Sequence, residues 1–166
     1  MPNWCEDDLF VKGGSKETRR FVKYAAGDGS PLDFNRFIPY PDGFLRADRN
    51  RYIVSALGPL AQILEIPVQK DGYNSGGYEW CVANWGTKWN ASSPVVRITK
   101  TGATYRFSTA WSPPTPIIIM MSEMFPRLKF TLKYYEAGMA FQGVFTCKAG
   151  RVVTDDHYTY CGGRGG

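Results

Sequence analysis

Residues 95–148, VVRITKTGATYRFSTAWSPPTPIIIMMSEMFPRLKFTLKYYEAGMAFQGVFTCK, contain the pattern that decides the fold. Apolar and polar side chains alternate on both sides of Gly102, which predicts a β-hairpin. An apolar stretch at 115–125 predicts a helix, and the alternation resumes at 128–148 around a turn at Gly138. Hairpin, helix, hairpin predicts an antiparallel sheet with helices packed on one face, which is an α+β fold.

The chain before this pattern adds a strand, helices and a long connection. Ser15 can cap a helix that ends at Gly27, so the chain starts with a β-α unit. Proline and glycine are too dense at 28–45 for regular structure beyond a short extended stretch. The predicted strands are residues 8–12, 95–101, 104–111, 128–135, 140–148 and 151–154, and the predicted helices are residues 16–26, parts of 47–66, 78–85 and 115–125.

Length and composition predict one globular domain over residues 1–160, followed by a flexible glycine-rich tail at 161–166. The chain has 166 residues, of which 43% are hydrophobic, enough for a sizeable core. No apolar stretch approaches the roughly 20 residues that span a bilayer, and the start lacks the basic and apolar regions of a signal peptide. We expect a cytoplasmic protein that does not enter a membrane, and the oligomeric state is left open.

The four cysteines indicate a reduced, intracellular protein because they are widely scattered along the chain. Cys5 and Cys147 fall on the apolar sides of their strands, so both are expected to be buried. His157 and Cys161 have a spacing that could supply half of a zinc site, but the other ligands would have to come from distant segments. We predict no metal and no cofactor.

Positive charge is concentrated in the second half of the chain. Residues 1–83 contain ten Lys and Arg against eleven Asp and Glu, a net charge of −1, whereas residues 84–166 contain ten against four, a net charge of +6. A basic half favours anionic partners such as nucleic acid, nucleotides or an acidic protein surface. A solvated basic surface without a partner is the alternative.

Alternation also assigns the two faces of the sheet. The side expected to face the helices contains Tyr105, Phe107, Thr109, Trp111, Leu128, Phe130, Leu132, Tyr134, Phe141, Phe145 and Cys147. The opposite side contains Arg97, Thr99, Arg106, Ser108, Lys129, Thr131, Lys133, Tyr135, Gln142 and Lys148. An exposed face rich in Lys, Arg and Thr follows, and a slip of one residue would reverse it.

Three of the five tryptophans lie in two turn-rich tracts, residues 84–89 and 109–114. Both tracts are expected at the ends of helices or strands, where Trp85, Trp89 and Trp111 would meet near one end of the sheet. Lys88 lies between two indoles and could form a cation–π contact. The cluster could stabilise the loops or recognise a partner, whereas ordinary packing explains Trp4 and Trp80.

Five tracts, spread over nearly the whole chain, point to a known family: residues 2–5, 33–41, 80–89, 107–116 and 134–138. In this order they resemble the phage and plasmid family of uncharacterised proteins with a YubB ferredoxin-like domain. The resemblance implies a ferredoxin-like antiparallel sheet and an origin on a phage or other mobile element. It brings no established activity and no site residues.

No catalytic pattern emerges from the sequence. The one histidine, His157, follows two aspartates without a nucleophile-elbow sequence, and neither a phosphate-binding loop nor a deaminase motif is present. We therefore predict a non-enzymatic accessory protein of the host cell cytoplasm that acts by binding and sequestration, plausibly in counter-defence. Its partner would be a host defence protein or an anionic nucleotide, and the candidate ligand-binding residues are Trp85, Lys88, Trp89, Trp111, Arg97, Arg106, Lys129 and Lys133.

Two alternatives belong to other functional classes. The first is a nucleic-acid-binding module that uses the basic sheet face, for which steep salt dependence would be diagnostic. The second is an enzyme built around His157 and the adjacent carboxylates. Pocket shape separates the leading ligands, because an anionic nucleotide needs aromatic walls with two or more Arg or Lys, and a protein needs a broad exposed patch.

Overall fold

The structure, a computed structural model, describes residues 3–27, 29–67 and 70–162, which form an α+β fold. The strands are β1 (Trp4–Lys12), β2 (Ser92–Thr99), β3 (Gly102–Ala110), β4 (Lys129–Glu136), β5 (Phe141–Lys148) and β6 (Arg151–Thr159). The helices are α1 (Ser15–Ala25), α2 (Asp42–Leu57), α3 (Pro59–Ile63), α4 (Gly77–Trp85) and α5 (Thr115–Met124), with short 3₁₀ turns at Phe34–Arg36 and Tyr73–Ser75.

The six strands form one antiparallel sheet in the order β2-β3-β1-β4-β5-β6. The units β1-α1-β2-β3-α5-β4, with the strand order β2-β3-β1-β4, give the split βαβ arrangement of a ferredoxin-like domain, in which β3 and β1 are the central strands. Strands β5 and β6 extend the sheet beyond β4 as a meander. The predicted ferredoxin-like sheet is confirmed, and the long segment between α1 and β2 contains α2, α3 and α4.

The core lies between the sheet and the helices. Phe21 of α1 is fully buried and packs edge-on against Tyr105 of β3, Phe130 of β4 and Phe125 after α5. Burial of a side chain of this size stabilises the fold by about 1.5–3 kcal/mol. The predicted inward positions of β3, β4 and β5 are largely confirmed, because their aromatic and aliphatic side chains are buried.

The structure corrects several predicted elements. Trp111 does not face the helices, since β3 ends at Ala110 and Trp111 adopts a left-handed φ of 74°, which takes its side chain out of the alternation. Helix α2 begins at Asp42, inside a stretch predicted to be irregular, and β6 extends to Thr159. The predicted tail falls mainly on residues 163–166, outside the described residues.

Helices α2 and α3 form an arm that contributes little to the core. Helix α2 has no buried side chain, and its Tyr52 is 76% exposed. The base of the arm is held where the Asp48 carboxylate accepts the Tyr73 backbone N–H at 2.9 Å. Phe44 lies so close to Gly72 that a Cβ there would be 2.1 Å from the Phe44 carbonyl oxygen, so only glycine allows this contact. None of the helices within the described ranges is long and apolar enough to span a membrane.

A buried carboxyl group lies in the centre of the sheet. Asp7 of β1 is fully buried, and its Oδ2 lies 2.7 Å from Thr109 Oγ1, which lies 2.8 Å from the Ser112 carbonyl oxygen. A hydroxyl has one proton to donate. When Thr109 donates to Ser112, Asp7 must donate to Thr109, and its carboxyl group is then protonated. Burial raises the pKa of Asp7 well above its ordinary value, in agreement with this assignment.

The stability of the protein should therefore depend on the ionisation of Asp7. In the unfolded chain the pKa of this carboxyl is about 3.9, so above that pH the unfolded state loses its proton while the folded state retains it. This contribution to stability is complete below the unfolded pKa and is lost as the pH rises through the folded pKa. In Asp7→Asn, which is neutral at every pH, this loss should be absent.

Urea unfolding of both proteins from acidic to neutral pH measures the effect. The free energy of unfolding of the wild type should fall relative to that of Asp7→Asn as the pH rises. A difference that does not change with pH would show that Asp7 is not held as the protonated acid.

The cysteines give a second expectation. Cys5, Cys81 and Cys147 are buried and unpaired, whereas Cys161 is exposed. Burial raises the pKa of all three buried thiols, to about 11 for Cys81. One thiol per native chain should react quickly with a thiol reagent, and Cys161→Ser should abolish that phase. Rapid labelling of Cys5 or Cys147 would show that the strand faces are reversed.

Candidate functional site

The sheet has one face that the helices do not cover, hereafter the open face. Strand β1 contributes Glu6, Asp8, Phe10 and Lys12 to it, because Cys5, Asp7, Leu9 and Val11 alternate inwards. The strand pairing brings Arg97, Arg106, Lys129 and Lys133 to the same face. These four candidate residues therefore share one surface.

A row of four basic residues crosses one end of the open face, hereafter the basic row. Lys12 pairs with Lys129, Lys129 with Lys148, and Lys148 with Arg151, so the row runs across β1, β4, β5 and β6. Residues directly opposite on neighbouring strands have Cβ atoms about 4.5–5.5 Å apart, and like charges at this spacing are destabilising. An anion bound along the row would offset that repulsion.

Acidic residues of β1 moderate the charge in the middle of the open face. Asp8 is directly opposite both Arg106 and Lys133, and Arg106 Nε lies 3.1 Å from Asp8 Oδ1. Arg106 therefore forms an ion pair within the protein. The sequence patterns of β3 and β4 could not reveal this pair, because Asp8 is about a hundred residues away in the chain.

A groove of about 380 Å³ lies on the open face beside the basic row. Phe10, Arg97 and Arg106 line it together with Val95 and Thr104. Thr104 of β3 is opposite both Phe10 of β1 and Arg97 of β2, so the ring and the two guanidinium groups lie on three successive strands. An aromatic ring beside two arginines can hold a base and its phosphate.

Aromatic residues are more numerous on the open face than the sequence indicated. Tyr135 was expected there, and its ring is stacked on Tyr160 with centroids 5.2 Å apart. Phe10 was missed because residues 9–11 are apolar on both sides of the strand. Tyr158 of β6 was missed because the predicted strand ended too early; it is opposite Gln142 on the open face.

The two tryptophan tracts meet at the opposite end of the sheet, as expected. Lys88 Nζ lies 4.1 Å from the centroid of the Trp89 ring and 4.2 Å from that of Trp111. Trp4 packs against Trp89 with centroids 6.1 Å apart. We call Trp4, Lys88, Trp89 and Trp111 the tryptophan–lysine cluster. Its indoles are 38–45% exposed, so a partner can reach them.

Hydrogen bonds between the two tracts fix this cluster. The Ser112 hydroxyl donates to the Gly86 carbonyl at 2.7 Å, and the Thr87 hydroxyl donates to the Ala110 carbonyl at 3.0 Å. Gly86 has a φ of 80°, and a Cβ there would lie 2.4 Å from Pro116, so glycine is required where the tracts touch. The exposed indoles are therefore held in place before any partner binds.

Trp85, one of the candidate ligand-binding residues, does not belong to the exposed cluster. It is only 4% exposed, and its Nε1–H donates to the Ile38 carbonyl at 2.9 Å. It ends α4 facing the core, where its ring packs against Phe34 and Trp80. Trp4, which packing alone was expected to explain, lies in the exposed cluster instead.

His157 lies beside Tyr134 and Asp155. Its Nδ1 lies 2.7 Å from the Tyr134 hydroxyl oxygen, and its Nε2 lies 2.9 Å from Asp155 Oδ1. Tyr134 is buried, and burial raises the pKa of its hydroxyl, so the phenol stays protonated. Throughout the described ranges, no group of three or more His, Cys, Asp or Glu is arranged to hold a metal ion.

Comparisons with known proteins agree with the ferredoxin-like class. Residues 84–160 match the family model described as a ferredoxin-like domain in Api92-like protein. The crystal structure of protein api92 from Yersinia pseudotuberculosis is similar over 98% of this chain and 99% of that chain, with a TM-score of 0.55 and 12% identity. At this identity the likeness establishes the fold alone. None of the curated proteins matches the chain.

The tryptophans should differ sharply in their contribution to stability. Trp85→Ala removes a core aromatic and should cost about 3–5 kcal/mol. Trp89→Ala removes a half-exposed ring and a cation–π contact, which should cost about 1 kcal/mol. Thermal and urea unfolding of the two variants measures the difference. Equal large losses would return the tryptophan–lysine cluster to the core.

Proposed function

We propose that the protein is a non-enzymatic binding protein that holds single-stranded nucleic acid on its open face. The basic row carries this proposal. Four cations placed opposite one another on neighbouring strands repel each other in the free protein, and a phosphate backbone lying across them would remove the repulsion. The net charge of +5 adds long-range attraction for a polyanion.

Single strands fit the open face better than a duplex. Phe10 and Tyr135 place aromatic rings on the two central strands, and unpaired bases stack on such rings regardless of sequence. Arg97 and Arg106 line the groove on one side of Phe10 and can contact the phosphates beside a stacked base. A flat sheet presents no helix or ribbon that could enter the major groove of a duplex.

The proposed biological setting rests on the sequence tracts alone. Their resemblance to a phage and plasmid family supports an origin on a mobile element, a YubB-type domain, and action in the host cytoplasm. In that setting, sequestering the bound strand would act as counter-defence.

The second candidate function is sequestration of a different partner, and two observations favour it. The groove provides an aromatic wall and two arginines, which are the features that a free anionic nucleotide requires. The tryptophan–lysine cluster has the composition of a protein-binding hot spot, in which Trp and cationic residues dominate. A host defence protein could be held there.

Fluorescence anisotropy with labelled single-stranded oligonucleotides at increasing salt tests the leading proposal. Affinity should fall steeply with salt because binding releases counterions. In Lys129→Gln/Lys148→Gln the slope of log K against log salt should decrease by about two, one for each lost phosphate contact. Lys23→Gln/Lys70→Gln, which removes two exposed charges outside the open face, is the matched control and should bind like the wild type.

Three results would contradict nucleic-acid binding. Affinity could be insensitive to salt, the two double variants could lose equal affinity, or a mononucleotide could bind as tightly as the oligonucleotide. The last result would favour sequestration of a nucleotide in the groove. Loss of capture of a host protein in Trp89→Ala, with oligonucleotide binding unchanged, would assign that function to the tryptophan–lysine cluster.

A further inference from the structure

A pocket of about 450 Å³ lies away from the basic row, between the start of α2, the turn at Tyr73 and the end of α4. We call it the aromatic pocket. Four rings line it: Tyr40, Tyr73, Trp85 and Trp89. Its charged groups are the carboxylates of Asp42 and Asp48 and the ammonium of Lys88. Lys88 and Trp89 also belong to the tryptophan–lysine cluster, but no candidate function considered above uses the other lining residues.

The two carboxylates make the aromatic pocket electronegative. The Asp48 carboxylate, together with burial as the larger cause, raises the pKa of the neighbouring Tyr40 hydroxyl. Burial and then Asp48 raise the pKa of the Cys81 thiol to about 11. Both groups respond to Asp48 as they would to a local negative potential. Lys88 offsets only part of this potential, because the lining contains one ammonium and two carboxylates.

The rings add attraction for a cation. The faces of Trp and Tyr rings carry negative charge density, and a cation within about 6 Å of a ring centroid is attracted to it. The protein already uses this interaction at the rim of the pocket, where the Lys88 ammonium lies 4.1 Å from the Trp89 centroid. An ammonium group is thus stabilised by the same ring that lines the pocket.

We propose that the aromatic pocket binds an organic cation, specifically an alkylated ammonium group. Methyl groups on the nitrogen make contact with Tyr40 and the indoles, and the positive charge is balanced by Asp42 and Asp48. An anionic nucleotide does not fit, because the pocket supplies one cation and two carboxylates. The inference is independent of nucleic-acid binding, since the basic row and the groove contribute none of the lining residues.

The alkylated ammonium could belong to a free small molecule or to a modified lysine of a peptide. Choline and a peptide containing trimethyl-lysine are therefore the two probes, titrated separately while tryptophan fluorescence and heat of binding are measured. The tighter of the two identifies the source. The neutral carbon isostere of choline, 3,3-dimethylbutanol, has the same shape without the charge and should bind at least about tenfold more weakly.

Three variants test the assignment to this pocket. Asp48→Asn keeps the oxygen that accepts the Tyr73 N–H and removes the charge, so cation affinity should fall by about tenfold. Asp156→Asn makes the same charge change on β6 and should leave the affinity unchanged. Lys88→Gln removes the competing positive charge and should increase the affinity.

The proposal is overturned by any of four results. These are that neither probe saturates, that the neutral isostere binds as tightly as choline, that Asp48→Asn and Asp156→Asn have the same affinity, or that Lys88→Gln weakens binding. The last would indicate an anionic ligand that needs the lysine. Circular dichroism and thermal melts of each variant establish that the fold is retained. Oligonucleotide binding by Asp48→Asn should equal that of the wild type, which separates failure of this inference from failure of the proposed function.

Discussion

The hydrogen bond between Asp7 and Thr109 is the contact on which the position of the tryptophan–lysine cluster depends. It joins β1 to β3 at the centre of the sheet, and the Thr109 hydroxyl is also hydrogen-bonded to the Ser112 carbonyl. The Ser112 hydroxyl in turn donates to Gly86, which belongs to the other tryptophan tract. Leaving a buried polar group without a hydrogen bond is costly, so this chain of hydrogen bonds fixes the turn after β3 relative to the core. The positions of the exposed indoles therefore depend on hydrogen bonds that begin at the buried Asp7 carboxyl group.

Strand β1 sets the distance between the tryptophan–lysine cluster and the basic row. Its inward residues complete the core, while its outward residues run from Trp4 at the tryptophan–lysine cluster to Lys12 in the basic row. At about 3.3 Å per residue these two ends of the strand are some 26 Å apart. A mononucleotide cannot reach both ends, whereas an extended polymer can. Charge on the open face also changes along β1, because the acidic residues Glu6 and Asp8 lie between Trp4 at one end and Lys12 at the other.

The sequence could predict what depends on local pattern and could not predict what depends on pairing between distant segments. Alternation around Gly102 and Gly138 was enough for the two hairpins and for the face on which Arg97, Arg106, Lys129 and Lys133 lie. The basic row needed the register of β1 against β4 and of β5 against β6, which no local pattern contains. Trp85 and Trp89 are four residues apart, but Trp85 is buried and Trp89 is exposed, because the chain turns at Gly86 in a left-handed conformation. The aromatic pocket combines segments that are separate in sequence, so its carboxylates gave no signal before the fold was known.

The arm formed by α2 and α3 has a dynamic consequence. Because α2 buries no side chain, few contacts would be lost if the arm opened while the sheet remained folded. Amide hydrogens of this arm should exchange with solvent at a free energy well below that of global unfolding, whereas those of β1 and β4 exchange only when the whole domain unfolds. Asp42 and Asp48 lie on α2, so each opening of the arm also dismantles one wall of the aromatic pocket. A ligand bound in that pocket would therefore disfavour opening of the arm. Amide hydrogen exchange would slow throughout α2 and α3, including at residues that the ligand does not contact.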